Sequence, residues 1–203
     1  MTPLERKLKM NTAAQNGDAA HIEQLLLGAQ KGETYFHALE NAAENGHIEC
    51  IRHLLPFCPS KMKVNQALEK AARAGHADSV ALLIAYSAPK ASESSALRAA
   101  VVSGSLKCVE LLIPVSDPKA MRSQALLEAV RCKQRDIFAT LYPVSNVKDA
   151  ESFFVNIWST SKENLKDFQQ WSVEEEAVVQ AQRLNDEIHS HLQPTSSGMK
   201  RKI

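Results

Sequence analysis

Apolar and small residues recur along this chain in one pattern with a period of 29 residues. In residues 38–56, apolar positions fall three, four and seven residues before Gly46 and five, eight and nine residues after it. The pattern returns at residues 67–85 and 96–114 and, in weaker form, at 9–27 and 125–143. The register is marked by Gly17, Gly46, Gly75 and Gly104, with Lys133 at the fifth position. A fixed period of this kind is typical of a stacked repeat array.

Each unit is predicted to be a pair of antiparallel helices. Steps of three and four residues place the apolar positions on one helical face on either side of the glycine. The glycine ends the first helix because it accepts positive φ at little cost. Pro56, Pro114 and Pro143 then stop the second helix. One pair cannot bury both of its faces, so the sequence predicts an all-α solenoid of five such pairs over residues 1–148.

The repeat resembles the ankyrin repeat at Leu39, Ala42-Ala43, Gly46-His47, Ile51 and Leu54-Leu55. The likeness covers about residues 9–148 and implies a non-enzymatic surface that binds protein. It also implies that His47 and the matching His76 have a structural role. The units here are shorter than the 33 residues of the family, and its Thr-Pro-Leu-His start is absent. We therefore expect the family's β-hairpin fingers to be reduced to tight loops, which moves partner contacts to the helices.

Arrays of this kind commonly present the end of the first helix on their concave side. The corresponding positions are the two residues before each glycine, which vary between units while the framework does not. Arg73 and Arg131 are the strongest candidates, since arginine is enriched at interface hot spots. The predicted protein-binding residues are Gln15, Asn16, Glu44, Asn45, Arg73, Val102, Ser103 and Arg131.

The repeat fails after Lys148, and residues 149–193 are predicted to form a helical cap on the last unit. Phe153 to Trp158 reads as an apolar helix. The Ser172 to Glu175 capping box predicts the start of a last helix of about twenty residues. Its apolar stripe would pack on the array end or on a second chain. That stripe comprises Val173, Ala177, Ala181, Leu184, Ile188 and Leu192. Residues 194–203 read as a loose tail.

Composition removes several other classes of function. Twenty-four basic and 23 acidic residues give a net charge of +1, so nucleic acid and anionic membrane are not expected as partners. Four cysteines without a CxxC pair give no support to a zinc or redox site. No motif predicts a catalytic residue, a metal or a cofactor. The N-terminus carries no apolar signal segment, and no run is long enough to span a membrane, so a cytoplasmic location is expected.

The leading hypothesis is a cytoplasmic module that binds one protein partner; the sequence leaves the oligomeric state open, and a monomer is favoured. The resemblance to small bacterial arrays suggests an immunity protein that blocks a toxin, or alternatively a secreted effector that binds a host protein. Two other hypotheses rest on the C-terminal region. One is an enzyme built on Glu187, His189 and His191, whose histidines differ by two positions and so point to different helix faces. The other is an oligomeric scaffold that pairs through the Val173–Leu192 stripe.

Overall fold

A computed structural model describes residues 1–29, 32–92, 94–157 and 162–192. Twelve α-helices and no strand occur in these ranges, so the all-α prediction is confirmed. The helices are α1 (Pro3–Asn16), α2 (Ala19–Leu27), α3 (Phe36–Glu44), α4 (Ile48–Leu54), α5 (Lys61–Ala74), α6 (Ala77–Ile84), α7 (Ser95–Ser103), α8 (Leu106–Leu112), α9 (Ala120–Arg131), α10 (Arg135–Leu141), α11 (Val147–Ile157) and α12 (Lys162–Leu192).

The helices stack as five pairs, from α1–α2 to α9–α10. Neighbouring odd-numbered helices from α1 to α9, here called the first helices, pack against each other. Each also packs against the even-numbered second helix that follows it. Ala42 and Ala43 of α3 are fully buried, as are Ala71 and Ala72 of α5. These small side chains allow adjacent layers to approach closely. In the described connectors, short 3-10 turns such as Leu55–Phe57 stand where the family has hairpin fingers.

The glycine that ends a first helix receives a side chain from the next unit. Gly17 and Gly46 are left-handed, with φ of 75° and 73°. The His47 ring covers Gly17 and its Nε2 donates to the carbonyl of Gln15 at 3.2 Å, while His76 repeats this on Gly46 and the carbonyl of Glu44 at 3.1 Å. Both histidines therefore tie one unit to the preceding one.

Buried polar residues near the start of three first helices fix the connectors that follow. The Oδ1 of Asn65 accepts from the Ala88 N–H at 2.7 Å, and Ser94 Oγ accepts from the Asp117 N–H at 2.7 Å. Ser123 Oγ accepts from the Asn146 N–H at 2.8 Å. The equivalent positions in the second unit are Phe36 and Pro59. A proline has no N–H to satisfy, so the acceptor is replaced by an apolar side chain where the donor is missing.

The connector before α3 is held in a different way. Arg6 Nη1 donates to both carboxylate oxygens of Glu33, at 2.7 and 2.8 Å, and Tyr35 donates to the same carboxylate. This interaction with Glu33 raises the pKa of Arg6. Burial and the bond to Glu33 raise the pKa of Tyr35 to about 12. The first helix is thereby joined to the segment that leads into the second unit.

A sixth, irregular layer covers the last pair. α11 packs on α9, and the beginning of α12 packs against α9, α10 and α11. Phe168 of α12 is 1% exposed and meets the Phe138 ring edge-to-face, with centroids 5.9 Å apart. Arg135 lies over the Trp171 ring at 5.6 Å and pairs with Glu174 at 3.0 Å and Glu175 at 2.6 Å. Lys133 Nζ contacts Glu163 at 3.3 Å and also pairs with Asp167.

One expectation for the last helix is wrong. α12 begins at Lys162 rather than at Ser172, which lies inside the helix and caps nothing. The capping-box pattern was misleading because Phe168 and Trp171 pack on the last unit as part of the same helix. The helix therefore begins ten residues earlier than predicted. The predicted stripe does not pack on the array end, since Val173, Leu184 and Ile188 are 68%, 61% and 56% exposed. Its packing on a second chain stays a prediction. Trp158 and the tail of residues 194–203 lie outside the described residues.

Replacing Gly46 with alanine should destabilise the protein more than replacing Gly75. Both glycines are left-handed, so each alanine costs roughly 1–2 kcal/mol of backbone strain. At Gly46 the new Cβ would also lie 2.8 Å from His76 Nδ1, whereas at Gly75 it would meet Ser105 Cβ at 3.6 Å. We expect about 1 kcal/mol of extra loss in Gly46→Ala, from the broken His76 bond. Urea unfolding measures both variants, and equal losses would contradict the role of the histidine.

Asn65→Ala should lower the free energy of unfolding by about 1–3 kcal/mol, because the Ala88 N–H and C=O both lose their side-chain partner. Ser79→Ala is the matched control. Ser79 is equally buried, but its Oγ has no hydrogen-bond partner among the described residues. We expect that control to be neutral or slightly stabilising. Thermal unfolding followed by circular dichroism separates the two, and similar changes in both would argue against the connector tie.

Phe168→Ala should cost about 3–5 kcal/mol, as expected for a large buried aromatic side chain. Leu184→Ala, on the exposed part of the same helix, should change stability by less than about 0.5 kcal/mol. Guanidinium unfolding of the two variants tests whether only the first part of α12 belongs to the folded core. An equal effect at both positions would show that the whole helix is docked.

Candidate partner-binding face

The first helices leave one side free of their neighbours. Each is covered by its own second helix at the back and by adjacent first helices at its sides. The remaining surface, here called the first-helix face, runs across all five units. It contains the residue two positions before each glycine or its equivalent, in the order Gln15, Glu44, Arg73, Val102, Arg131. Neighbouring helices pack about 8–10 Å apart, so this row forms a ladder with one rung per unit.

The structure places every predicted binding residue at or directly after the end of a first helix, and each is exposed. These residues are Gln15, Asn16, Glu44, Asn45, Arg73, Val102, Ser103 and Arg131. Their role in binding remains a prediction. Val102 stands out because it is a large apolar side chain with 46% of its surface exposed, between two arginine rungs.

The two arginines are held in position by carboxylates on their own helices. Arg73 Nη2 donates to Glu69 Oε1 at 2.6 Å, and Arg131 Nε donates to Glu128 Oε2 at 2.5 Å. The Glu128 bond raises the pKa of Arg131. Holding a long side chain in one orientation lowers the entropy lost on binding. Each guanidinium keeps further N–H groups for a partner, because arginine carries five donors.

Other predicted residues also have structural contacts. Glu44 Oε2 accepts from Lys70 Nζ at 2.8 Å, across to the next first helix. Ser103 Oγ lies 2.9 Å from the carbonyl of Ala72, in the preceding unit. Asn45 Nδ2 donates to the carbonyl of Asn41 at 2.8 Å. Glu44 and Ser103 therefore contribute to stacking as well as to the exposed surface.

Charge is unevenly divided between the two sets of helices, although the whole chain is nearly neutral. The five first helices hold ten basic and five acidic side chains. The five second helices hold three basic and five acidic ones. The prediction from sequence missed this segregation and three basic residues on the first helices, Lys63, Lys70 and Arg98. Sorting the charges by predicted helix would have found them.

A shallow groove, lined by three acidic and three basic side chains, crosses this face. It has a volume of about 470 Å³ and lies between α3 and α5, where Glu44, Lys70 and Arg73 are among its lining residues. Farther along, Arg98 Nη1 donates to Gln124 Oε1 at 2.8 Å. That partner is uncharged, so the positive charge of Arg98 is not neutralised by it. The face thus offers anchored cations beside an apolar rung.

The buried cysteines, and Glu187 and His189 of α12, lie outside the first-helix face. Burial raises the pKa of the Cys50 and Cys108 thiols, and that of Cys58 to about 11. In the part of the chain that the structure describes, no three His, Cys, Asp or Glu side chains group as metal ligands. Glu187 and His189 are exposed on α12, where His189 Nδ1 lies 2.8 Å from the carbonyl of Asn185.

The family model for ankyrin repeats, in three copies, matches residues 10–93. Residues 10–93 of this chain are therefore ankyrin repeats. The match spans the first three helix pairs of the ankyrin array, and two further pairs continue the same stacking beyond it. Ankyrin repeats are generally non-enzymatic modules for protein–protein interaction. No curated protein matches the sequence closely enough to indicate a partner. In the described residues, no helix combines the length and apolar character needed to cross a bilayer.

Proposed function

We propose that this ankyrin array holds one protein partner against its first-helix face, with Arg73, Val102 and Arg131 at the centre of the contact. The observation that carries the proposal is this row of two anchored arginines flanking an exposed valine. Arginine and buried apolar anchors supply much of the energy at protein interfaces. The described connectors hold short 3-10 turns and no β-hairpin, which favours contact through the helices.

The finer proposal is that the partner is a toxin, which the array neutralises as an immunity protein in the cytoplasm. The net basic charge of the first helices supports it, because charge complementarity speeds the association that an inhibitor requires. The alternative is an effector that binds a host protein through the same face. A toxin reading frame beside this one would favour immunity, and a host protein captured by the array would favour the effector.

The variant Arg73→Glu, Arg131→Glu should lose a partner that the wild-type chain captures from native lysate. Reversal of both charges replaces two attractive contacts by repulsion and leaves the buried framework intact. The matched control is Arg52→Glu, Lys107→Glu, which makes the same charge change on exposed positions of the second helices. Circular dichroism checks that both variants fold.

Retention of the captured protein by the first variant would overturn the proposal and move the contact elsewhere. Equal loss in both variants would also overturn it, because the effect would then follow net charge rather than the first-helix face. Loss in the first variant alone supports it.

A further inference from the structure

The second part of α12 is an amphipathic helix that is not covered by any other described part of its own chain. From Gln180 to Ser190 every residue is exposed. Five members of the apolar stripe, Val173, Ala177, Ala181, Leu184 and Ile188, are exposed on one helical side. An exposed apolar stripe of this length is typical of a contact surface.

The charge of α12 indicates what can cover this stripe. Glu163, Asp167, Glu174 and Glu175 pair with Lys133 and Arg135 of the same chain. From Glu176 to Ser190 three acidic residues and one basic residue remain. An antiparallel pairing of the stripe with its copy places Glu176 near Glu187 of the other helix, which is unfavourable. An antiparallel two-helix seam is therefore disfavoured, and the complementary surface should be basic with an apolar centre.

The row of Arg73, Val102 and Arg131 on the first-helix face has this character and a matching spacing. Each arginine is paired with one carboxylate of its own helix and keeps further N–H donors for a second. Glu176 and Glu187 are eleven residues apart, which places them on the same side of α12 and about 16 Å apart along its axis. Arg73 and Arg131 lie two layers apart, or about 16–20 Å. Val102 stands between the two arginines, and Ala181 and Leu184 stand between the two glutamates. Acid meets base at both ends while the apolar groups meet in the middle.

We propose that the exposed part of α12 docks on the first-helix face of a second copy of this chain. The contact is heterologous, because it joins two different surfaces, and it can continue into rings or short chains. This inference rests on the proposed function in one respect: both use the first-helix face. An external partner then competes with the second copy's α12, so that self-association regulates access to the binding face.

The test is sedimentation velocity of the purified full-length chain over a wide concentration range. We expect the weight-average mass to rise with concentration to at least twice the 22.4 kDa of one chain. Arg73→Glu, Arg131→Glu and Glu176→Lys, Glu187→Lys should each reduce the molecule to a monomer. Combining the four substitutions in one chain should restore association, because the charges are then swapped. Arg52→Glu, Lys107→Glu serves as the control and should associate like the wild type.

Three results would overturn the inference. They are a wild-type chain that stays monomeric throughout, association that survives in the arginine variant, and failure of the four-fold variant to associate. The second result would indicate pairing of the α12 helices with each other. A monomeric wild type that still captures a protein through Arg73 and Arg131 would refute this inference and leave the proposed function standing.

Discussion

The close approach of neighbouring first helices is the contact on which the rest of the structure depends. Fully buried alanines such as Ala42, Ala43, Ala71 and Ala72 keep the layers close. Only at that separation can the His47 and His76 rings reach the glycines and carbonyls of the preceding unit. A larger side chain at these alanines would force the layers apart, and the ring contacts would be lost together with the packing. The same helix packing also sets the distance between successive exposed residues of the first-helix face.

Much of the fold could be predicted because its signals are local and repeated. The 29-residue period gave the five helix pairs, and the glycines gave their turns. The cap was harder, since its start depends on where Phe168 and Trp171 meet the last unit, which no local pattern encodes. The residues from Ser172 to Glu175 could cap the start of a helix, but in the fold Ser172 already lies within α12. Tertiary packing outweighed the local signal.

The position of the candidate face could be predicted from the sequence, but the contacts that hold its side chains could not. The residues before each glycine could be placed from the register alone. Whether Arg73 and Arg131 are anchored depends on Glu69 and Glu128, which sit one turn earlier on the same helices. The ties made by Glu44 and Ser103 depend on neighbouring units and required the structure. The division of charge between first and second helices gives the first helices a net positive charge although the whole chain is nearly neutral.

The buried connector bonds determine where this array can be divided. Ser94 and the N–H of Asp117 belong to one length of chain that begins at a first helix and ends at the next. A segment taken from glycine to glycine would separate that acceptor from its donor. An exchangeable module therefore begins just before the first helix. In the second module, Pro59 has no N–H that needs an acceptor, and Phe36 replaces the polar side chain. This module can therefore be duplicated without a buried polar acceptor. Gene duplication, or an engineer adding a layer, would have to respect this boundary.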